Sequence, residues 1–428
     1  MKKYFNIYLT ILLVSCWFIF QKSVISRQKN FQRQVDIGDR YAAMGANIDA
    51  LKSYDEAFKY SDGRVSNLYH KKFKIYMKEE KLNEAKNTLD AIYRRGVRVE
   101  DLAEKYLEKS IKTKDYQRVN TFLEEYSELR TAGIYKDKMK FLLDENKSTY
   151  SNIIQQGDKY SLVELNGNRR IINNQDRNIF HYKKGEIKGF DEEKGLITIV
   201  ENGRNVLLDL EKNTRSILKE GQIKPFNEGT YVLFKDNRQF LLDQLNYPKA
   251  QADKIGTFSD GKNYLLKSGQ VSVIDKKLNT LIKFQADDVK ENSRGQGIID
   301  EKIILITRKK DGDIKRICNI NTGKCSKYYD DIDFSKNSFI AVKIRGMWGF
   351  IDQNFKEISK PVYENARSFS NDLGVIKIDG KVHLIDKDFN SKNMGIYREI
   401  LTFNKEGIGF VKKEEGWRQV KLAKRIRK

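Results

Sequence analysis

Few residues of this chain stand at spacings that could do chemistry, and nearly all of them have a plain structural alternative. Gly256-Thr-Phe-Ser-Asp-Gly261-Lys262-Asn263 follows most of the glycine loop that cradles phosphates, yet Asn263 stands where a hydroxyl would hold Mg²⁺ and no helical pattern follows. A turn between strands is the better reading. Asp386, Asp388 and Asn390 begin like a calcium loop, but Ser391 takes the sixth position, which needs glycine, and Tyr397 the twelfth, which needs glutamate. His70, His181 and His383 are scattered and form neither a ligand pair nor a triad. The sequence therefore predicts no enzyme, no cofactor, no metal and no small-molecule substrate; a propeller-type enzyme working in a central channel is the least favoured alternative. Cys318 and Cys325 flank one hairpin. A turn at Asn321-Thr322 would set the two thiols face to face as a candidate disulfide, whereas a three-residue turn with Gly323 as bulge would point them to opposite faces.

The elements that must hold such residues announce themselves by repetition. An apolar pair followed by aspartate recurs as Leu207-Leu208-Asp209, Leu241-Leu242-Asp243, Val273-Ile274-Asp275, Phe350-Ile351-Asp352 and Leu384-Ile385-Asp386. The aspartates are 34 residues apart from 209 to 243, 32 from 243 to 275 and 34 from 352 to 386, with Asn173 and Asn321 in the same place of two weaker copies. Phe190, Phe226, Phe258, Phe334, Phe369 and Phe403 keep the same pace. Each unit is β. Val375–Ile378 and Val382–Ile385 flank Asp379-Gly380, a pair that accepts positive φ between alternating strands, and Asn166-Gly167, Asn202-Gly203, Asp260-Gly261 and Asp311-Gly312 repeat that punctuation. Seven such modules predict a seven-unit β-propeller, with an open β-solenoid as the alternative. Closure would fall to Ile408–Leu422, joined by the strands of Tyr160–Ile172.

Residues 339–374 carry the fullest copy: Gly346, Trp348, Gly349, Asp352, Pro361, Tyr363, Phe369 and Ser370. This phrase resembles the WG-repeat family of bacterial proteins, and the resemblance extends, more degenerately, over about residues 153 to 422. It implies a binding or scaffolding repeat without a common catalytic activity. Trp348 is read as packing within its unit rather than as a binding hot spot.

Upstream the period is helical. Ile37-Gly38, Tyr41, Gly45, Ala50, Tyr54 and Ala57 stand at the marker positions of the tetratricopeptide pattern, with weaker copies at Tyr76, Leu82, Ala85, Leu89 and Ile92 and at Ser110, Tyr116, Val119, Leu123 and Tyr126. These residues resemble tetratricopeptide repeats over 31–128, followed by a capping helix and linker at 129–150. In that pattern the inner positions are Val35 and Asp39, His70 and Lys74, and Glu104 and Glu108. They depart from the Lys/Asn clamp that grips a peptide's free C-terminus, so an extended or helical protein segment is the expected ligand. His70, Lys74, Lys78 and Glu108 are the candidate partner-binding groove.

Tyr4–Phe20 is free of charge and, as a helix, would span about 25 Å against the roughly 30 Å hydrocarbon core. Residues 1–30 are read as a signal anchor, with a lipoprotein signal as rival because Leu13-Val14-Ser15-Cys16 resembles a lipobox with Cys16 as the lipidated residue. The predicted architecture is thus α+β and multidomain: a membrane helix, tetratricopeptide-like helices, and an all-β WG-repeat domain with a basic tail over 151–428. Lys and Arg exceed Asp and Glu by 81 − 59 = 22, which favours anionic polymers as an alternative ligand. The functional expectation is a non-enzymatic interaction or scaffold protein of the bacterial cell envelope, held to the membrane by its N-terminal segment with its body extracytoplasmic; the alternative is binding of wall polymers or nucleic acid through a basic surface.

Overall fold

The structure, a computed structural model, describes residues 2–61, 65–333 and 339–426, with side chains from Leu12 onward. Phe334 of the aromatic series and Arg427 and Lys428 of the basic tail lie outside the described residues. The chain divides into a helical unit, 1–139 with the last three residues, and a β unit, Lys140–Arg425.

The helical unit begins with α1 (Lys2–Ala43), which runs unbroken through residue 30, where the sequence suggested a boundary. It continues as α2 (Asn47–Phe58), α3 (Ser66–Lys78), α4 (Leu82–Tyr93), α5 (Glu100–Lys112), α6 (Tyr116–Glu125) and α7 (Arg130–Lys140). Tight turns join α1 to α2, α3 to α4 and α5 to α6, with Gly45, Glu80 and Lys114 respectively at positive φ. Small residues set the packing distance: Ala50, Ala57, Ala85 and Ala103 are all fully buried. Gly38 is the closest case. A Cβ there would stand 2.4 Å from the buried Tyr54 ring, so α1 and α2 can cross at this separation only over a bare backbone. We expect Gly38→Ala to lower the stability of the helical unit by about 1–3 kcal/mol, through overpacking against a ring that cannot retreat. Gly133→Ala, whose Cβ would meet nothing within 4 Å, should leave it unchanged or slightly raise it. Thermal melts followed by helical circular dichroism compare the two, and equal midpoints would remove the Gly38 argument.

One expectation for this region is overturned. Among the described residues no helix is long and apolar enough to cross a membrane. The uncharged stretch ends at Phe20, and the rest of α1 carries Lys22, Arg27, Lys29 and Arg33.

The β unit is a propeller of eight four-stranded antiparallel sheets, where the sequence suggested seven. Blades one to seven occupy residues 152–181, 186–217, 223–252, 254–285, 288–329, 331–363 and 365–393. Paired positive-φ residues close the hairpins: Asn166-Gly167, Asn202-Gly203, Asp236-Asn237, Ser268-Gly269, Asp300-Glu301, Arg345-Gly346 and Asp379-Gly380. Because neighbouring blades cover both faces of each sheet, inner strands such as Leu196–Glu201 and Lys302–Thr307 are buried almost continuously. The aspartates after the apolar pairs cap the turn that follows. Asp352 Oδ1 accepts from the backbone N–H of Asn354 and Lys356 (both 2.8 Å), and Asp386 Oδ1 from Asp388 and Asn390. In blade five that role belongs to Asn319 rather than Asn321, since Asn319 Oδ1 accepts from the N–H groups of Asn321 and Thr322.

The eighth blade explains the miscount. Its strands are Glu399–Ile400, Ile408–Lys412 and Trp417–Leu422, and the fourth is Leu143–Glu145, paired with Leu143 opposite Leu422. Tyr160–Ile172 belongs to blade one instead and meets blade eight face to face through Val163, Ile172, Phe410 and Trp417. Three residues from the opposite end of the β region carry no repeat signature. They close the ring, which excludes the open solenoid.

Trp348-Gly349 has a packing role. Trp348 lies half-buried against the cluster of Phe350, Phe369 and Ile385 between blades six and seven. A Cβ on Gly349 would come within 2.7 Å of the Ser359 carbonyl oxygen, where the neighbouring strand shifts register.

Candidate functional site

Polar residues directly after five of the phenylalanine markers, Phe190, Phe226, Phe258, Phe369 and Phe403, turn over at one end of the ring and line a cavity of about 910 Å³ at the channel mouth. The mouth is acidic in a basic protein: eight lining residues are Asp or Glu, and three are Arg or Lys.

Half of these carboxylates, with the asparagines beside them, make ties between blades. Glu192 of blade two accepts from the backbone N–H groups of Asp158, Lys159 and Tyr160 in blade one, and Asp191 accepts from Glu228 N–H in blade three. Asn227 donates to the Phe258 carbonyl, and Glu228 accepts from Gly261 N–H. On the other side, Asn371 donates to the Asn404 carbonyl and Asn404 to those of Gly157 and Asp158. Asp158 pairs with Lys405 at 3.3 Å. Asp372 is held below the usual carboxylate range by its hydrogen bond from Lys387, which is the wrong direction for a general acid. Asp158, Asp191, Glu192 and Glu228 thus tie neighbouring blades together round the mouth.

Blade five departs from the others by an insertion between Val289 and Ile298. Asn292 Oδ1 accepts from Arg294 and Gln296 N–H, which fixes a tight turn, and the Arg294 guanidinium donates to the Gln156 carbonyl at 2.7 Å. Gln156 belongs to blade one, opposite blade five in a ring of eight, so the insertion straps the mouth across its diameter. Beneath the strap Lys224 Nζ lies 2.6 Å from Glu291 Oε1 and donates to the Ile255 carbonyl, while the Tyr264 hydroxyl donates to the same Glu291 oxygen. Burial lowers the Lys224 pKa against the pull of Glu291, and burial, with Glu291 beside it, raises Tyr264 far above its ordinary value. Blades three, four and five meet in this network.

The residues singled out in the sequence are placed as follows. Asn263 is buried and donates to the Gly256 carbonyl, with Asp260-Gly261 turning between Ser259 and Lys262, so the phosphate-loop pattern is a strand turn. Among the described residues no group of His, Cys, Asp or Glu is arranged to hold a metal. Cys318 and Cys325 are joined by a disulfide, and Cys16 is a free, exposed thiol on α1.

In the helical unit Val35 is core rather than groove, packed with Ala50, Tyr54 and Leu68. Asp39 is occupied by Lys71 at 2.7 Å and by the Tyr54 hydroxyl. His70 spends Nδ1 on the Ser66 carbonyl one turn back. Lys74 and Lys78, one turn apart on α3, are exposed and make no ion pair among the described residues, unlike Lys71, Lys72, Lys86 and Lys109 around them. Glu108 is exposed on α5 beside Tyr135 of α7, whose hydroxyl is raised to about 12 by burial and then by Glu108 and Glu104.

The channel mouth was not found from the sequence, although its signal is there. Phe190-Asp191-Glu192, Phe226-Asn227-Glu228, Phe258-Ser259-Asp260, Phe369-Ser370-Asn371 and Phe403-Asn404-Lys405 place two polar residues after each marker, at the blade period.

The family model described as WG containing repeat matches residues 348–381, so this stretch is a WG repeat. No curated protein matches the chain. Among solved structures, PorZ of Porphyromonas gingivalis, a surface component of the type-IX secretion system, is similar at 11% identity and a TM-score of 0.32. That match covers 65% of this chain and 46% of PorZ, so the chain spans about half of PorZ's length. The Dos1 propeller is similar at 11% identity and a TM-score of 0.40, over 66% of this chain and 95% of that one. Porphyromonas gingivalis dipeptidyl peptidase 4 is similar at 7% identity and a TM-score of 0.42, over 63% and 59%.

Proposed function

We propose that this chain is a non-enzymatic binding protein, in which helices of the tetratricopeptide type take an extended or helical protein segment and the WG-repeat propeller is a rigid platform. The observation that carries this reading is a pair of exposed lysines on α3 that make no ion pair among the described residues. Lys74 and Lys78 lie on one helix face, four residues apart, while the lysines around them are satisfied within the unit. Exposed cations on α3 and the exposed Glu108 on α5 suit a partner segment that brings a carboxylate to α3 and a cation to α5. The propeller mouth supports the non-enzymatic half, because four of its eight carboxylates, on Asp158, Asp191, Glu192 and Glu228, are engaged in ties between blades. An anionic polymer is a poor ligand for that mouth, given its acidic lining. The Cys318–Cys325 disulfide favours an oxidising compartment, in keeping with an extracytoplasmic body.

Charge reversal tests the groove. In the full chain carrying Lys74→Glu and Lys78→Glu, partners cross-linked and recovered with the unaltered protein should be lost or weakened at least tenfold, which corresponds to about 1.4 kcal/mol. Retention of every recovered partner would remove the groove from the proposal.

A further inference from the structure

Blade five lacks the ladder that holds the fourth strand of its neighbours. In blades three and four the outer strands Pro248–Ala252 and Thr280–Gln285 pair through runs of consecutive residues. In blade five the outer segment touches strand Ile314–Asn319 through two isolated bridges, Lys315 with Tyr329 and Cys318 with Cys325. The second bridge is the disulfide. Three backbone amides depend on this contact: Lys315 N–H donates to the Tyr329 carbonyl, Ile317 N–H to Ser326 Oγ and Asn319 N–H to the Lys324 carbonyl.

We propose that the Cys318–Cys325 disulfide is a redox clip whose reduction by a dithiol releases residues 324–328 and bares the Ile317–Asn319 end of the adjoining strand's edge, while Tyr329, buried in the core between blades five and six, and the rest of the ring stay folded. The two sulfurs are unequal. Cys318 is fully buried among Val273, Ile303 and Ile320, so an incoming thiolate reaches Cys325, which is half-buried and flanked by the exposed cations Lys324 and Lys327. A reductant thiolate attacks Cys325 Sγ and forms a mixed disulfide as the Cys318–Cys325 bond breaks. The second thiol of the dithiol then closes its own disulfide. Two electrons pass to the protein, and protons end on Cys318 and Cys325. The rest of the blade does not depend on the clip: Ile303, Ile304 and Leu305 are fully buried, and residues Lys302–Thr307 pair along their whole length with Ile314–Asn319. Release is therefore a local opening.

Amide hydrogen exchange on the full chain, oxidised and in dithiothreitol, tests this. The expected result is exchange at least tenfold faster at Ile317 and Asn319 on reduction, with Lys315, bonded to the buried Tyr329, and residues 302–307 still protected; Cys325→Ser should reproduce it without reductant. Unchanged exchange at Ile317 and Asn319 overturns the clip. So does loss of protection throughout the propeller. Two thiols at Cys318 and Cys325 that react with maleimide in protein purified without reductant would also overturn it.

Discussion

Replacing Glu291 by alanine is expected to cost the propeller about 3–5 kcal/mol, because it leaves the Lys224 ammonium buried without its carboxylate. Both side chains are nearly enclosed, with relative exposures of 11% and 15%, so solvent does not screen the loss. The Tyr264 hydroxyl loses its acceptor at the same time. Lys224→Met combined with Glu291→Leu removes both charges, and the double variant should recover most of the stability, since a matched apolar pair avoids the desolvation that the ion pair only offsets. Urea unfolding of the single and double variants supplies the comparison. If Glu291→Ala alone costs less than about 1 kcal/mol, the network is not holding blades three, four and five together. Lys224 also gives a pH dependence. Its folded pKa lies below the unfolded value, so the unfolded state binds more protons between the two and stability should rise with pH through that window; in the double variant this rise should vanish.

How far the sequence shows this architecture depends on whether a residue's role is local or shared. Asp352, Asp386 and the Asp379-Gly380 turn act on backbone within a few residues, so their types and spacing suffice to read them. Tyr54 and Gly38 are legible in the same way, because a helix crossing needs a small residue opposite a ring at a fixed offset. Glu192, Asp191 and Glu228 act across blades, about 32 to 37 residues away, and look in sequence like any solvated acid. The blade-five insertion blurs one unit without hiding it: its extra residues break the period, and the capping role falls to Asn319 rather than to Asn321. Leu143–Glu145 was hidden most completely. Three residues following a helix have too little periodicity to be read as a strand, and what makes them one is an edge supplied by residues nearly 280 positions later.

That closing strand should dominate the stability of the whole ring. Truncation after Gly407 removes Ile408–Lys412 and Trp417–Leu422, leaving Leu143–Glu145 without a partner and the faces of blades one and seven uncovered together. A closed ring has no strand it can shed cheaply, so the truncated chain should lose the propeller transition altogether in a thermal melt rather than shift it by a few degrees. A modest shift with the remaining blades intact would mean that each blade is stabilised by its immediate neighbours alone. Glu145 gives a finer reading of the same closure. Burial pushes its carboxyl up, but hydrogen bonds from Lys413 at 2.7 Å and Arg418 at 2.8 Å outweigh that and hold it below its ordinary value. A carboxyl with a depressed folded pKa contributes stability that is fully present above its unfolded pKa and is lost as pH falls through the folded one. Glu145→Gln should therefore cost about 1.5–3 kcal/mol at neutral pH, the range for hydrogen bonds to a charged group, and less as the medium is acidified. Melting midpoints of the variant and the unaltered protein should converge toward pH 3, and a gap that stays constant from pH 7 to pH 3 would show that the closing strand is held by its backbone pairing with Leu422, Lys421 and Val420 rather than by the charge on Glu145.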